Sequence, residues 1–168
     1  MMRVLFLAMA ALCLVSCGDS KVTEKDIQKA EQNMFSVSSQ PDKSRLDEML
    51  ALYCSFVEQN PEHPQSPEYL TRALDLSVAY MTPEKSLEIA EKIEREYPNF
   101  AKMSYVLFVE GYFIYDQQLH DIDKAREVLE RLVRDYPDGE FTSSARDIME
   151  NLGLTPEELI MKFQEAEQ

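Results

Sequence analysis

Several residue types that commonly build catalytic, metal-binding and phosphate-binding sites are scarce or absent in this chain. Its 168 residues include no tryptophan, only four glycines and only two histidines. With so little glycine, the sequence contains neither a glycine-rich phosphate-binding loop nor the serine-centred motif of a nucleophile elbow. Phosphate transfer and serine hydrolysis therefore have no motif to support them.

The two histidines, His63 and His120, are isolated in the sequence. Neither has a cysteine or a second histidine at the spacing of a zinc site. Carboxylates are abundant, but on the helix predicted over 83–97 they suggest a solvated face rather than a paired acid and base. That acidic face consists of Glu88, Glu91, Glu94 and Glu96. We expect no metal, no cofactor and no catalytic residue, and only a buried histidine or carboxylate pair in a cleft would revive a hydrolase.

Positive charge is also in short supply. Lysine and arginine number 17 against 31 aspartates and glutamates, which gives a net charge of −14. Such a surface repels nucleic acid and anionic lipid head groups, so neither is expected as a partner. The excess of acid either keeps the protein soluble in a crowded compartment or steers a basic partner toward it.

The apolar run Val4–Val15 is too short for a transmembrane helix, which needs about 20 residues. Arg3 precedes it, and its end leads directly into Ser16 and Cys17. This order is typical of a bacterial lipoprotein signal peptide over residues 1–16, whose removal leaves Cys17 as a lipid-bearing N-terminus. The alternative is an ordinary secretory signal in which Cys17 stands by coincidence.

Acylation at Cys17 would make residues 17–22 a tether between a bilayer and the domain that follows. Each buried methylene contributes roughly 0.8 kcal/mol to membrane affinity. Cys13 would leave with the signal, so Cys54 is the one thiol of the domain and no intrachain disulfide can form. We expect Cys54 to be a small, buried apolar residue rather than a reactive thiol.

Repetition is the strongest internal signal. Three helical segments stop at Pro61, Pro98 and Pro137, and aligning them superimposes apolar positions such as Phe56, Ile93 and Leu132. No strand-like alternation of useful length is present, so we predict an all-α domain over 23–168. Its helices are expected near 23–37, 42–59, 66–81, 83–97, 101–118, 122–136, 141–152 and 156–166. Several of these helices are expected to begin where a serine or threonine is followed by proline and glutamate, as at Ser66 and Thr82.

This pattern resembles tetratricopeptide repeats (TPR), in which antiparallel helix pairs stack into an α-solenoid. Small residues at crowded positions, Ala73, Gly111 and Ala125, carry the resemblance together with the closing prolines. It implies seven to eight helices arranged as repeat-like units 66–98 and 101–137, half-repeats 42–61 and 141–152, and a capping helix 156–166. The second unit is slightly long, which predicts an extended turn around 118–121.

Together with the lipoprotein signal, the Tyr-Pro stops resemble the repeat lipoproteins of bacterial outer membranes, such as the β-barrel assembly lipoproteins of the BamD type, although this chain is shorter. The resemblance implies a non-catalytic scaffold that binds other envelope proteins. Gly18 rather than aspartate after Cys17 agrees with sorting to the outer membrane, and the lack of an acidic run after Cys17 favours its periplasmic face over the cell surface. The alternative class is a small-ligand or glycan-binding lipoprotein, in which tyrosines replace the missing tryptophans.

Aromatic residues line one side of the helix predicted over 101–118, at i, i+3, i+7 and i+10, while Phe113 is expected elsewhere. In the family the first helix of each pair lines the concave face, so the stripe is predicted to face a partner groove beside the helix 66–81. The groove candidates are Tyr105, Phe108, Tyr112, Tyr115, Leu70 and Leu74. The alternative is that the terminal helices of the chain, 23–37 or 156–166, cover the stripe.

The last predicted helix carries Leu159, Ile160 and Phe163 on one face. A short repeat array has to hide the apolar surface at its ends. We therefore expect this face to cap the last repeat, with docking onto a partner as the alternative.

Overall fold

The computed structural model describes residues 21–36 and 42–166. The predicted signal peptide 1–16 and the lipidation site Cys17 lie outside these residues. The described chain is helical throughout apart from its connectors and contains no strand, which confirms the all-α class for this part. The helices are α1 Glu24–Ser36, α2 Lys43–Gln59, α3 Ser66–Tyr80, α4 Pro83–Glu96, α5 Met103–Phe108 with its π-helical continuation Val109–Gln118, α6 Ile122–Asp135, α7 Thr142–Asn151 and α8 Pro156–Ala166.

Capping side chains explain where several of these helices begin. The side chains of Asp42, Thr82 and Asp121 each accept a hydrogen bond from the backbone N–H three residues further on. At α8 the hydroxyl of Thr155 accepts from the Glu158 N–H, and the Glu158 carboxylate accepts in return from the Thr155 N–H at 2.8 Å. This reciprocal pair is a capping box, as the sequence predicts.

Three connectors share one local structure. The residues that close α2, α4 and α6 are Asn60, Tyr97 and Tyr136, with φ of −140°, −131° and −130° and ψ of 57°, 52° and 60°. In each connector the residue three positions on donates its N–H to that closing carbonyl, at 2.9–3.0 Å. The sixth residue then donates to the carbonyl of the third, at 2.9–3.1 Å. The predicted equivalence of the three proline stops is therefore confirmed at the level of individual hydrogen bonds.

Hydroxyl groups fix two of these connectors. Ser66 donates its hydroxyl to the carbonyl of Asn60, and Thr142 donates its hydroxyl to the carbonyl of Tyr136. The predicted role of Ser66 as a helix cap is wrong, because α3 begins at Ser66 itself and its preceding residue, Gln65, makes no side-chain cap. The hydroxyl closes the turn behind the helix instead.

The helices pack against their neighbours along the chain around one continuous core. Contacts join α1 to α2, α2 to α3, α3 to α4, α4 to the π-helical segment, that segment to α6, and α6 to α7. The aligned residues Phe56, Ile93 and Leu132 are at most 3% exposed. Buried hydrophobic residues run from Ile27 to Ala145, so a chain that begins at Lys21 keeps all of the described core. Within the described residues, no helix combines the length and the apolarity needed to cross a bilayer.

The segment 101–137, predicted to be slightly long, is wider in its first helix and in the turn after that helix. Counted from helix start to helix start, α5 to α6 takes two residues more than α3 to α4. From Val109 the helix takes the wider π form, and Leu119 donates its N–H to the Ile114 carbonyl five residues back at 2.9 Å. The following turn places His120 at φ 54°, so the extended turn expected near 118–121 is present.

The C-terminal helix α8 does not cap the array as expected. Ile160 and Phe163 are 58% and 60% exposed, whereas Leu159 is half-buried toward α7. The Lys162 ammonium holds α8 near α7 by donating to the Glu150 carbonyl and to Asn151 Oδ1, at 3.1 and 2.9 Å. The predicted capping face is therefore turned mainly to solvent.

Candidate functional site

A cleft of about 690 Å³ lies between α3, α5 and the connector that leads into α7. Two side-chain hydrogen bonds join its walls. The Tyr105 hydroxyl donates to Asp75 Oδ1 at 2.6 Å, and the Lys102 ammonium donates to Glu68 Oε2 at 2.6 Å. Burial, followed by the hydrogen bond to Asp75, raises the pKa of Tyr105, and burial also raises the pKa of the Asp75 carboxyl. The hydroxyl therefore stays protonated at neutral pH and serves as a positioning donor.

The α3 wall of the cleft is polar. Its lining residues follow a helical stripe at i, i+3, i+4 and i+7, and they are Glu68, Thr71, Arg72 and Asp75. The predicted groove residues Leu70 and Leu74 are 0% exposed and belong to the core between α3 and its neighbours. Their assignment to the groove is wrong, because helices on both sides of α3 cover the leucines and leave the polar stripe to the cleft.

Tyr105 and Phe141 line the opposite wall of the cleft. They belong to an aromatic cluster that continues away from the cleft through Phe108, Tyr112 and Phe113. Phe108 is central, with ring centroids 5.1 Å from Phe141, 5.7 Å from Tyr112 and 6.1 Å from Phe113. The Tyr105 ring is tilted by 51° against Phe141 with centroids 5.2 Å apart, and Tyr112 meets Phe113 edge to face at 4.9 Å. Phe113 is 41% exposed, so the cluster reaches solvent. Neither the described part of α1 nor α8 covers it completely.

Tyr115 does not belong to this cluster. Burial raises its pKa, and the charges that act on it are Glu110, Lys124, Glu91 and Asp121. Because Glu91 lies on α4 and Lys124 on α6, Tyr115 is on the side facing those helices. The predicted alignment of Tyr115 with the stripe is wrong, and so is the exclusion of Phe113. Both errors have one cause: the wider turns from Val109 onward rotate later residues away from the positions that an α-helix would give them.

A group of charged residues, of which only Glu110 is buried, lies on the other side of the π-helical segment. Arg131 on α6 donates to Glu94 on α4 at 2.8 Å and to Glu110 at 3.3 Å. Glu110 is only 5% exposed. Burial, the hydrogen bond with Glu94 and the charge of that carboxylate raise the pKa of Glu110 to about 8, against the opposing effect of Arg131.

Sequence reasoning missed this group. It placed Glu94 on a solvated face, but the Glu94 side chain is only 23% exposed. The available signal was Glu110 itself, a lone acid within the apolar and aromatic stretch from Tyr105 to Tyr115. Neither Glu94 nor Glu110 lines the cleft between α3 and α5.

Two other potentially reactive side chains, His63 and Cys54, lie against apolar residues of the described structure. His63 packs edge-on against Phe56, with its ring centroid 5.3 Å away, and its Nε2 lies 3.9 Å from a Glu24 carboxylate oxygen. Cys54 is half-buried against the core, and burial raises the pKa of its thiol. Between 21–36 and 42–166, no three acidic, histidine or cysteine side chains gather as a metal site.

The sequence matches no known protein-family model, and no curated protein is significantly similar to it. The function therefore has to be inferred from the geometry of the clefts and from the sequence signals.

Proposed function

We propose that the protein is a lipid-anchored scaffold of the bacterial envelope, in which TPR-like helix pairs form a short solenoid. Three connectors with the same hydrogen bonds, at Asn60, Tyr97 and Tyr136, support the repeat interpretation. So does packing between chain neighbours. The lipoprotein signal supports anchoring through Cys17, on the periplasmic face of the outer membrane.

The scaffold binds a segment of another envelope protein along the aromatic cluster, which begins at Tyr105 and Phe141 in the cleft between α3 and α5 and ends at the exposed Phe113. This cluster is the observation that carries the proposal. Its rings bury large areas at little cost in rotamer freedom, and its edge at Phe113 is exposed. The polar α3 wall supplies hydrogen-bonding groups opposite the rings. Such a site binds without a cofactor and without chemistry, and assembly of outer-membrane proteins is the process in which we place it.

Anchoring is tested by replacing the lipidated residue. We expect Cys17→Ala to move the protein from the membrane fraction to the soluble fraction of fractionated cells, because the acyl chains supply the membrane affinity. Cys54→Ala is the matched control and should leave the protein on the membrane. Unchanged membrane association of Cys17→Ala would end the anchoring proposal.

Partner binding is tested by photo-crosslinking in intact cells. A crosslinking amino acid at Phe113 should give a discrete adduct that mass spectrometry identifies, whereas the same amino acid at Tyr80, 53% exposed and outside the cluster, should not. Tyr112→Ser should remove the Phe113 adduct while leaving the helical circular dichroism signal unchanged.

Two results would contradict this proposal. Loss of the folded state in Tyr112→Ser would identify the tyrosine as a core residue. A clear rise in melting temperature with a soluble glycan, in the absence of any protein adduct, would favour the small-ligand alternative.

A further inference from the structure

The connector between α6 and α7 brings two carboxylates to the cleft between α3 and α5. These connector carboxylates, Asp138 and Glu140, both line the cleft. Both are exposed, and neither forms an ion pair within the described residues. The turn does not require them, because the connector at Tyr97 forms the same hydrogen bonds with Asn99 and Ala101 in the equivalent positions. The two acids therefore remain available to a ligand.

The cleft stays acidic when all of its charged side chains are counted. They are Glu68, Asp75, Asp138 and Glu140 against Arg72 and Lys102. Lys102 is ion-paired with Glu68 at 2.6 Å, and Arg72 with Glu31 on α1 at 2.6 Å. Asp75 accepts a hydrogen bond from the hydroxyl of Tyr105, which is an uncharged donor. In the described structure, each basic side chain of the cleft thus has an acidic partner, whereas the connector carboxylates have no basic one.

A buried hydroxyl group faces the same place. Ser104 lines the cleft and is only 9% exposed, and its hydroxyl makes no hydrogen bond within the described residues. The hydroxyl is not sealed off, because Gln118 Oε1 is the one polar side-chain atom of these residues that is both enclosed and unpartnered. A Cβ atom on Gly139 would lie 3.2 Å from Ser104 Cβ, so this serine lies against the connector between the two acids. Its oxygen is left to a ligand that donates hydrogen bonds.

Two aromatic rings complete the cleft. The centroids of Tyr105 and Phe141 are 5.2 Å apart, with the rings tilted by 51°. Aromatic faces attract cations, and a planar guanidinium stacks on them better than an ammonium does. The same group donates to carboxylates in pairs of hydrogen bonds. Rings, unpaired carboxylates and a free hydroxyl therefore match one side chain, that of arginine.

We propose that this cleft binds an arginine side chain of the partner segment. Its guanidinium lies against the rings of Tyr105 and Phe141 and donates to the connector carboxylates and to Ser104. The inference rests on the proposed function, since it names the residue with which the segment along the aromatic cluster enters the cleft. It also selects a basic partner for an acidic protein.

The test uses two tripeptides that differ in one charge. Acetyl-Ala-Arg-Ala-amide carries the guanidinium, and its citrulline analogue has nearly the same shape without the charge. Each is titrated into the chain from Lys21 onward, and the backbone amide signals of Ser104, Gly139 and Phe141 are followed by NMR. We expect saturable shifts in the millimolar range with the arginine peptide and no saturable shift with the citrulline peptide.

A pair of double variants shows whether the connector carboxylates are responsible. Asp138→Asn/Glu140→Gln should weaken binding of the arginine peptide about tenfold, because both unpaired charges are removed. Asp123→Asn/Glu130→Gln changes two exposed acids on α6 and the net charge by the same amount, and it should bind like wild type. Amide signals elsewhere that coincide with those of wild type confirm that both variants are folded.

Three results would overturn the arginine site: no saturable shift in wild type, equal shifts with the citrulline peptide, or equal weakening in the two double variants. The crosslink at Phe113 separates this inference from the proposed function. An adduct in cells, together with no binding of the arginine peptide, would overturn the arginine site and leave the scaffold. Saturable binding of the peptide without a Phe113 adduct would support the arginine site and contradict the proposed partner binding.

Discussion

Replacing Gly111 by leucine should prevent this domain from folding cooperatively. A Cβ atom at Gly111 would lie 2.9 Å from Leu129 Cγ, 3.0 Å from Leu129 Cδ2 and 3.4 Å from the Ala125 carbonyl oxygen. Leu129 is 0% exposed, so it has no solvent into which to move. Overpacking a filled core costs about 1–3 kcal/mol for added methylenes and more where the backbone has to shift. A leucine adds four carbons at the closest approach of the π-helical segment to α6.

The milder Gly111→Ala variant gives a measurable version of the same effect. In a solvated helix, glycine to alanine stabilises by about 1 kcal/mol, so overpacking predicts the opposite sign here. We expect a lower melting temperature, by several degrees for each lost kcal/mol in a domain of this size. Thermal unfolding followed by circular dichroism measures it.

A second substitution, at Leu129, tests whether overpacking causes the loss of stability in Gly111→Ala. Leu129→Ala alone should cost about 2–5 kcal/mol because it leaves a cavity. Combined with Gly111→Ala, it should cost less than the sum of the two single changes, since the new methyl group enters the vacated space. Additive losses, or a Gly111→Ala variant more stable than wild type, would show that Gly111 is not at a close helix contact.

The sequence allowed close prediction of the helices because their ends are determined locally. The caps at Asp42 and Thr82 and the stops before Pro61, Pro98 and Pro137 depend on residues within one turn of each boundary. Every described helix boundary consequently lies within two residues of its expected place. The equivalence of the connectors was also visible, since it rests on aligned prolines and apolar positions.

Features that depend on helix register or on distant packing were not predictable in the same way. The prediction of a stripe of four aromatics assumed 3.6 residues per turn. Because the helix takes the π form from Val109, Phe113 rather than Tyr115 lies in the exposed cluster. The burial of Leu70 and Leu74 follows from having α2 on one side of α3 and α4 on the other. Spacing within α3 alone cannot tell which of its faces remains open.

The surroundings of the buried Glu110 carboxyl were also not predictable from local sequence. Nothing in the local sequence brings Glu94 next to Glu110, which is 16 residues away along the chain, or places Arg131 between them. Only the packing of α4, the π-helical segment and α6 does so. The three side chains come from three helices, so their joint ionisation reports on the assembly of the domain rather than on any single helix.

Stability should therefore fall as pH rises through the range in which Glu110 loses its proton. Its pKa is about 8 in the folded protein against 4.5 for an ordinary glutamate. Between these values the folded state holds a proton that the unfolded chain releases. The contribution is fully present below pH 4.5, shrinks as pH rises from 4.5 to 8, and is gone above pH 8. The groups facing Glu110 are Glu94 and Glu91 from α4 and Arg131 from α6.

Glu110→Gln should remove this dependence. The amide has nearly the same shape, keeps hydrogen-bonding groups toward Glu94 and Arg131, and cannot ionise. Urea unfolding from pH 5 to pH 9 should show wild type losing on the order of a few kcal/mol relative to the variant, with the loss spread between pH 5 and pH 8 and little further change above pH 8. Glu130→Gln, at an exposed position on α6, should follow the wild-type curve.

Glu94→Gln gives the discriminating result, because it removes the neighbouring charge that raises the pKa of Glu110 but keeps Arg131 beside it. The pKa of Glu110 should then fall, and the loss of stability should move to lower pH. If Glu110→Gln and wild type gave parallel curves, Glu110 would be ionised in the folded protein at neutral pH. Arg131 would then be the dominant influence on the buried carboxyl, in place of burial and Glu94.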